Sequence, residues 1–128
     1  MEIKQFYDKA LSQLSYAIES KGQIVLVDPA RDIQPYLDFA HQLGGEIVAV
    51  LETHPHADFA SSHLEISKRF NAPVYINSKA GVYYDANELG HNEEVQIGDL
   101  TFRALFTPGH SPDHNAYLLL EHGVEKAV

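Results

Sequence analysis

No cysteine occurs among the 128 residues, which excludes disulfides, thiolate zinc sites, iron–sulfur clusters and a cysteine nucleophile. Any catalysis must rest on histidine, carboxylate, hydroxyl or a bound metal. Positive charge is scarce: nine Lys and Arg stand against 18 Asp and Glu, for a formal net charge of −9. Such a surface repels phosphate backbones and argues against a nucleic-acid substrate or partner. No apolar run approaches the roughly twenty residues that span a bilayer. The opening Met1-Glu2-Ile3-Lys4 leads into folded-looking sequence without a signal-peptide profile, so the expectation is no membrane partner and a cytoplasmic location. Low-complexity and Pro/Ser-rich linkers are also missing, and residues 1–128 read as one domain unit.

What the chain does have is histidine in two informative places. Glu52-Thr53-His54-Pro55-His56-Ala57-Asp58 follows an apolar, strand-like run. Pro55 biases His54 toward extended backbone, where residues two apart project to the same side, so His54 and His56 can converge on one ion. Imidazole suits zinc or iron. The second place is Thr107-Pro108-Gly109-His110-Ser111-Pro112, after the alternating run Leu100–Phe106. There His110 falls where a strand breaks into a loop that Gly109 lets turn and two prolines restrict. The expected metal ligands are His54, His56 and His110. For His56 two readings stay open: direct binding, or holding a metal-bound water.

Alternation and turn chemistry predict strands at 3–7, 14–19 and Gln23–Val27, with Lys21-Gly22 turning between the last two. Asp32 is expected to cap a helix over 33–43, with Ile33, Tyr36, Leu37 and Ala40 inward, Gly44-Gly45 ending it, and His41 in solvent. Glu46–Leu51 reads as a buried strand that delivers residues 53–58 at its C-terminal end, where α/β layouts favour ligands. A helix over 59–70, a strand at 73–77 and an irregular stretch at 78–87 follow. Glu94–Ile97 then pairs with Leu100–Phe106 across Gly98-Asp99, before a strand at 116–120, a turn and a strand just begun. His63 and His114 read as surface or hydrogen-bonding residues, and Tyr83, Tyr84 and His91 as packing rather than substrate contacts. Asp28, at a strand end before Pro29, is either a turn former or the carboxylate that accepts the outer N–H of a bound imidazole.

Taken together, Thr53-His54-x-His56-x-Asp58 and Thr107-Pro108-Gly109-His110 resemble the metallo-β-lactamase superfamily of hydrolases and oxidoreductases. Glu52-Thr53-His54 through Asp58-Phe59, then His63-Leu64-Glu65, with Val27-Asp28-Pro29 and Arg31-Asp32, looks most like its persulfide dioxygenase branch, particularly the type fused to rhodanese domains. The resemblance runs from Gln5 to the last residue. It implies an α+β fold, a metallo-β-lactamase-like αββα sandwich of which this chain makes only the N-terminal αβ half. The dinuclear hydrolases of the family carry a histidine where this chain has Phe59, and Phe cannot bind metal, so a mononuclear centre is expected. Asp58 is then the catalytic candidate, facing substrate or steadying a ligand, or else it caps the helix that follows. The family's further metal-binding Asp would lie beyond Val128, so a truncated chain is expected.

The activity so implied is oxidation of a low-molecular-weight persulfide with O₂ to sulfite, with Fe(II) as the ion and Zn(II) as the alternative. Without cysteine in the chain, the sulfane sulfur must arrive on a small thiol or on a partner such as a rhodanese domain. One alternative is a zinc-dependent thioester hydrolase of the hydroxyacylglutathione hydrolase kind, against which Phe59 counts. Another is a catalytically silent metal-binding or interaction fragment. A missing half would bare a sheet face rich in Ile, Val, Leu and Phe, from which either a homodimer or poor solubility is expected.

Overall fold

The computed structural model describes residues 1–8, 13–30, 32–53, 63–77, 87–106, 115–121 and 124–127. In chain order these form β1 (Glu2–Asp8), β2 (Gln13–Ser20), β3 (Gln23–Val27), α1 (Gln34–Leu43), β4 (Glu46–Leu51), α2 (His63–Phe70), β5 (Val74–Asn77), β6 (Asn87–Leu89), β7 (Glu94–Ile97), β8 (Leu100–Phe106), β9 (Asn115–Glu121) and β10 (Val124–Ala127). The first three strands make an antiparallel meander, to which β4, β5 and β6 add in parallel, giving one sheet ordered β1-β2-β3-β4-β5-β6. The second sheet is antiparallel, ordered β10-β9-β8-β7.

The apolar run Ile24-Val25-Leu26-Val27 is continuous because β3 is covered on both faces. Ile24 and Leu26 pack with Tyr36, Phe39 and Ala40 of α1 and Ile66 of α2. Val25 and Val27 pack with Phe102, Ala104, Tyr117 and Leu119 of the second sheet. Helices, first sheet and second sheet therefore stack as three layers of an α+β fold. Each fully buried Ile or Leu in these rows contributes about 2 kcal/mol of transfer free energy.

Local sequence accounts for most element ends. Gly44, at φ +64, closes α1 in the left-handed region, and its N–H bonds the His41 carbonyl at 3.2 Å while Gly45 N–H bonds that of Ala40 at 2.9 Å. Asp32 caps from one residue further out than expected: Ile33 occupies the N-cap, and Asp32 Oδ1 accepts the Gln34 N–H at 3.1 Å. Phe39 takes an inward place beside Tyr36 and Ala40, whereas Leu37 is half-buried at the margin. The helix expected over 59–70 is described from His63 onward, and residues 59–62 lie outside the described residues. β6 was not foreseen: three residues, Asn-Glu-Leu, carry no period, and they become a strand by pairing in parallel with β5.

At the edge where β3 and β4 begin, the turn Lys21-Gly22 (φ +52 and +82) meets the turn between β7 and β8. Lys21 Nζ lies 2.6 Å from Asp99 Oδ2, and this contact with the Asp99 carboxylate, more than the Glu121 charge, raises the Lys21 pKa above its ordinary 10.5. A raised folded-state pKa adds stability that is fully present below 10.5 and lost as pH climbs through the folded value. Lys21 is mostly exposed, so the contribution is small and screened by salt. The expected result is a small advantage of wild type over Lys21→Gln at pH 7 and low salt that declines as pH rises past 10.5 and is screened in molar salt. Urea midpoints across pH measure it, and an unchanged advantage at pH about 11.5 would contradict it.

Candidate metal centre

The parallel strands β3, β4 and β5 reach one line together, with Val27 opposite Leu51 and Leu51 opposite Tyr75. Two hydrogen bonds carry the ladder one residue past that line: Asp28 N–H to the Leu51 carbonyl and Glu52 N–H to the Tyr75 carbonyl, each 2.9 Å. Thr53, the residue before His54, therefore leaves the sheet from a fixed point.

Asp28 strengthens that point. Its side chain is buried, and Oδ1 accepts the Thr53 N–H at 2.8 Å while Oδ2 accepts the Thr53 hydroxyl at 2.5 Å. Both bonds are charge-assisted, and together they hold one residue at its backbone and at its side chain. The Asp28 backbone has φ +49, a left-handed conformation that Asp tolerates better than most residues. The left-handed backbone agrees with the turn-former reading of Asp28, and Thr53 is the partner seen among the described residues; the imidazole that the other reading needs lies outside them.

The second sheet arrives at the same place. β8 starts beside the Gly98-Asp99 turn, near the start of β3, and climbs in the direction of β4. Where it reaches Ala104, its neighbour on β9 is Tyr117, whose buried phenol donates to the Glu52 carbonyl at 2.7 Å. The Glu52 side chain is also fully buried. Phe106, two residues beyond Ala104, ends β8 opposite Asn115. The strand that leads to His54 and His56 and the strand that leads to His110 hence end on one edge of the sandwich.

His54, His56, Asp58 and His110 themselves lie outside the described residues, as do Tyr83, Tyr84 and His114. His63 opens α2, and its side chain is likewise outside them. His41 and His91 are exposed, on α1 and on the turn between β6 and β7. Among the described residues no group of three or more His, Asp or Glu side chains could hold a metal ion. A donor set of three imidazoles leaving two strand ends on a common edge fits a divalent zinc or iron ion.

The signature of a known family spans almost all of this framework: that of the metallo-beta-lactamase superfamily matches residues 8–124. The chain belongs to this superfamily. Among its relatives, the hydroxyacylglutathione hydrolase of Xanthomonas euvesicatoria is 30% identical over 79% of this chain and 40% of the relative. The probable polyketide biosynthesis zinc-dependent hydrolase BaeB of Bacillus velezensis is 27% identical over 91% and 55%. Among solved structures, a metallo-beta-lactamase from Staphylococcus aureus superposes with TM-score 0.88 at 35% identity, covering 95% of this chain and 39% of that one. ETHE1 from Myxococcus xanthus gives TM-score 0.84 at 32% identity, covering 93% and 54%. The chain spans about half the length of the curated relatives it matches. Metal dependence comes with the superfamily, and the Bacillus velezensis relative is named as a zinc-dependent hydrolase.

Two features of this edge were not foreseen from sequence: the Tyr117 hydrogen bond and the burial of Glu52. A phenol within an apolar strand was the available signal, because a buried tyrosine needs a partner for its hydroxyl. An open cavity of about 290 Å³ is lined, among the described residues, by Phe6, Tyr7, Ser15, Ala30, Asp32, Pro35 and Tyr36.

Proposed function

We propose that this chain carries the histidine ligands of a mononuclear, iron-dependent enzyme of the persulfide dioxygenase kind. The observation that supports the proposal is the meeting of β4 and β8 on one edge, tied by Tyr117 and Glu52, so that the strands preceding His54, His56 and His110 in the chain end on the same side of the sandwich. Phe59 in place of a histidine supports one metal rather than two. The likeness to ETHE1, at 32% identity, supports this branch of the family.

In the proposed reaction a persulfide, O₂ and water give a thiol, sulfite and two protons (RSSH + O₂ + H₂O → RSH + SO₃²⁻ + 2 H⁺): four electrons pass from sulfur to O₂, the outer sulfur gains three oxygens, and the S–S bond breaks with the inner sulfur leaving as a thiolate that takes up one proton. Bound Fe(II) would supply open positions where sulfur and O₂ meet side by side. The histidines would hold the ion, Asp28 sets the departure of their loop through Thr53, and Asp58 faces the substrate or steadies a ligand. The substrate would be a low-molecular-weight persulfide, delivered free or by a rhodanese partner, in the cytoplasm. Neither a nucleic acid nor a membrane is part of the proposal.

A second reading, a zinc-dependent thioester hydrolase, is supported by the 30% identity to a hydroxyacylglutathione hydrolase. In that reading the same histidines would hold zinc, which would supply the acidified water that thioester hydrolysis needs. Elemental analysis of protein purified without oxygen separates the two. Near-stoichiometric iron with O₂ uptake on addition of glutathione persulfide supports the first reading, and zinc with hydrolysis of S-lactoylglutathione supports the second. Protein without metal and without either activity would leave a catalytically silent binding module.

Self-association belongs to the same proposal. Ile3 and Tyr7 on β1 and Leu14 at the start of β2 are large and exposed, as is Met1 just before β1, and the registers Ile3 with Ile18 and Tyr7 with Leu14 put those three strand residues on the face toward the second sheet. Light scattering at rising concentration is expected to show a homodimer that Leu14→Ser weakens. A monomer at every concentration would end this part of the proposal.

A further inference from the structure

We infer that Tyr117 is a positioning residue for the metal centre, acting as the tie that sets one half of the ligand set against the other. The inference rests on the metal-centre reading above. His54 and His56 follow β4 in the first sheet, whereas His110 follows β8 in the second, so the distance between the two groups depends on how the sheets are placed at this edge. Apolar packing between sheets is non-directional and tolerates sliding. A hydrogen bond is directional, and the one from Tyr117 Oη to the Glu52 carbonyl, 2.7 Å long and buried, joins the sheets close to the ends of β4 and β8.

Its placement is specific at both ends. Glu52 lies two residues before His54, and its N–H is bonded to the Tyr75 carbonyl, so the accepting peptide is held within the first sheet as well. Tyr117 pairs with Ala104, two residues before the end of β8, so the donor is held within the second. The sheets also meet at Lys21 and Asp99, but that ion pair lies at the opposite edge, is largely exposed on the lysine side, and leaves the ligand edge untouched. Groups that orient ligands without touching the metal commonly change its affinity by about 10- to 100-fold.

The test compares Tyr117→Phe, which removes only the hydroxyl, with Ile47→Val, a core change at the far end of β4 where Ile47 is buried. For wild type and both variants, zinc and Fe(II) dissociation constants are measured by chelator competition, and the unfolding of metal-free protein by urea. Tyr117→Phe is expected to weaken metal binding by about 10-fold or more, while Ile47→Val lowers the stability of the metal-free protein with metal affinity unchanged within about twofold. The inference is overturned if Tyr117→Phe binds metal as wild type does, or if both variants lose affinity in proportion to lost stability. Wild-type protein that binds neither ion would instead overturn the metal-centre reading itself, and this inference with it.

Discussion

Replacing Asp28 with alanine is expected to destabilise the protein by about 3 kcal/mol, or roughly 10 °C in Tm. The variant loses two charge-assisted bonds at once, to the N–H and the hydroxyl of Thr53, and leaves a half-buried N–H without its carboxylate. A hydrogen bond to a charged group is worth about 1.5–3 kcal/mol, and a partner left behind adds desolvation. Alanine must also hold the left-handed φ of +49, at a cost of about 1 kcal/mol that Asp and Asn largely avoid. Asp28→Asn keeps that tolerance and one acceptor, so its loss should be about half as large. Urea unfolding of the metal-free protein measures both, and an Asp28→Ala loss below about 0.5 kcal/mol would show that the clamp on Thr53 is not structural.

The other large effect is on metal. On the proposed metal-centre reading, His110→Ala is expected to reduce bound metal from near-stoichiometric to background, with loss of any activity that depends on it, because it removes the candidate ligand that follows β8 in the chain. Losing a direct ligand should exceed the roughly 100-fold loss typical of residues that merely orient one. The matched control is His91→Ala, on an exposed turn, which should keep full metal content and activity. Elemental analysis beside circular dichroism reads both. Metal retained by a folded His110→Ala would remove His110 from the ligand set and reduce the proposal to its His54–His56 half.

Much of the fold was legible because its signals are local. The run 24–27 reads as a buried strand, Gly44 as a helix stop, and Lys21-Gly22 as a hairpin turn, since each depends on backbone preference or on alternation within a few residues. β6 was not legible, because its three residues become a strand only by contact with β5. Asp32 was legible as a capping residue but not at its exact position, which depends on where the chain leaves β3.

By itself, the sequence determined the chemical vocabulary: no thiol, twice as many acidic as basic residues, and two histidine-bearing segments each following an apolar strand-like run. These follow from residue identity and spacing, which a linear chain states outright. Only the tertiary structure decided that β4 and β8 end on the same edge, that Asp28 holds Thr53 across 25 positions, and that Tyr117 reaches Glu52 across 65. Such contacts arise from how one twisted sheet lies on another. No local preference encodes that placement; it is set by the joint packing of the two sheet faces and fixed at the ligand edge by a few directional hydrogen bonds.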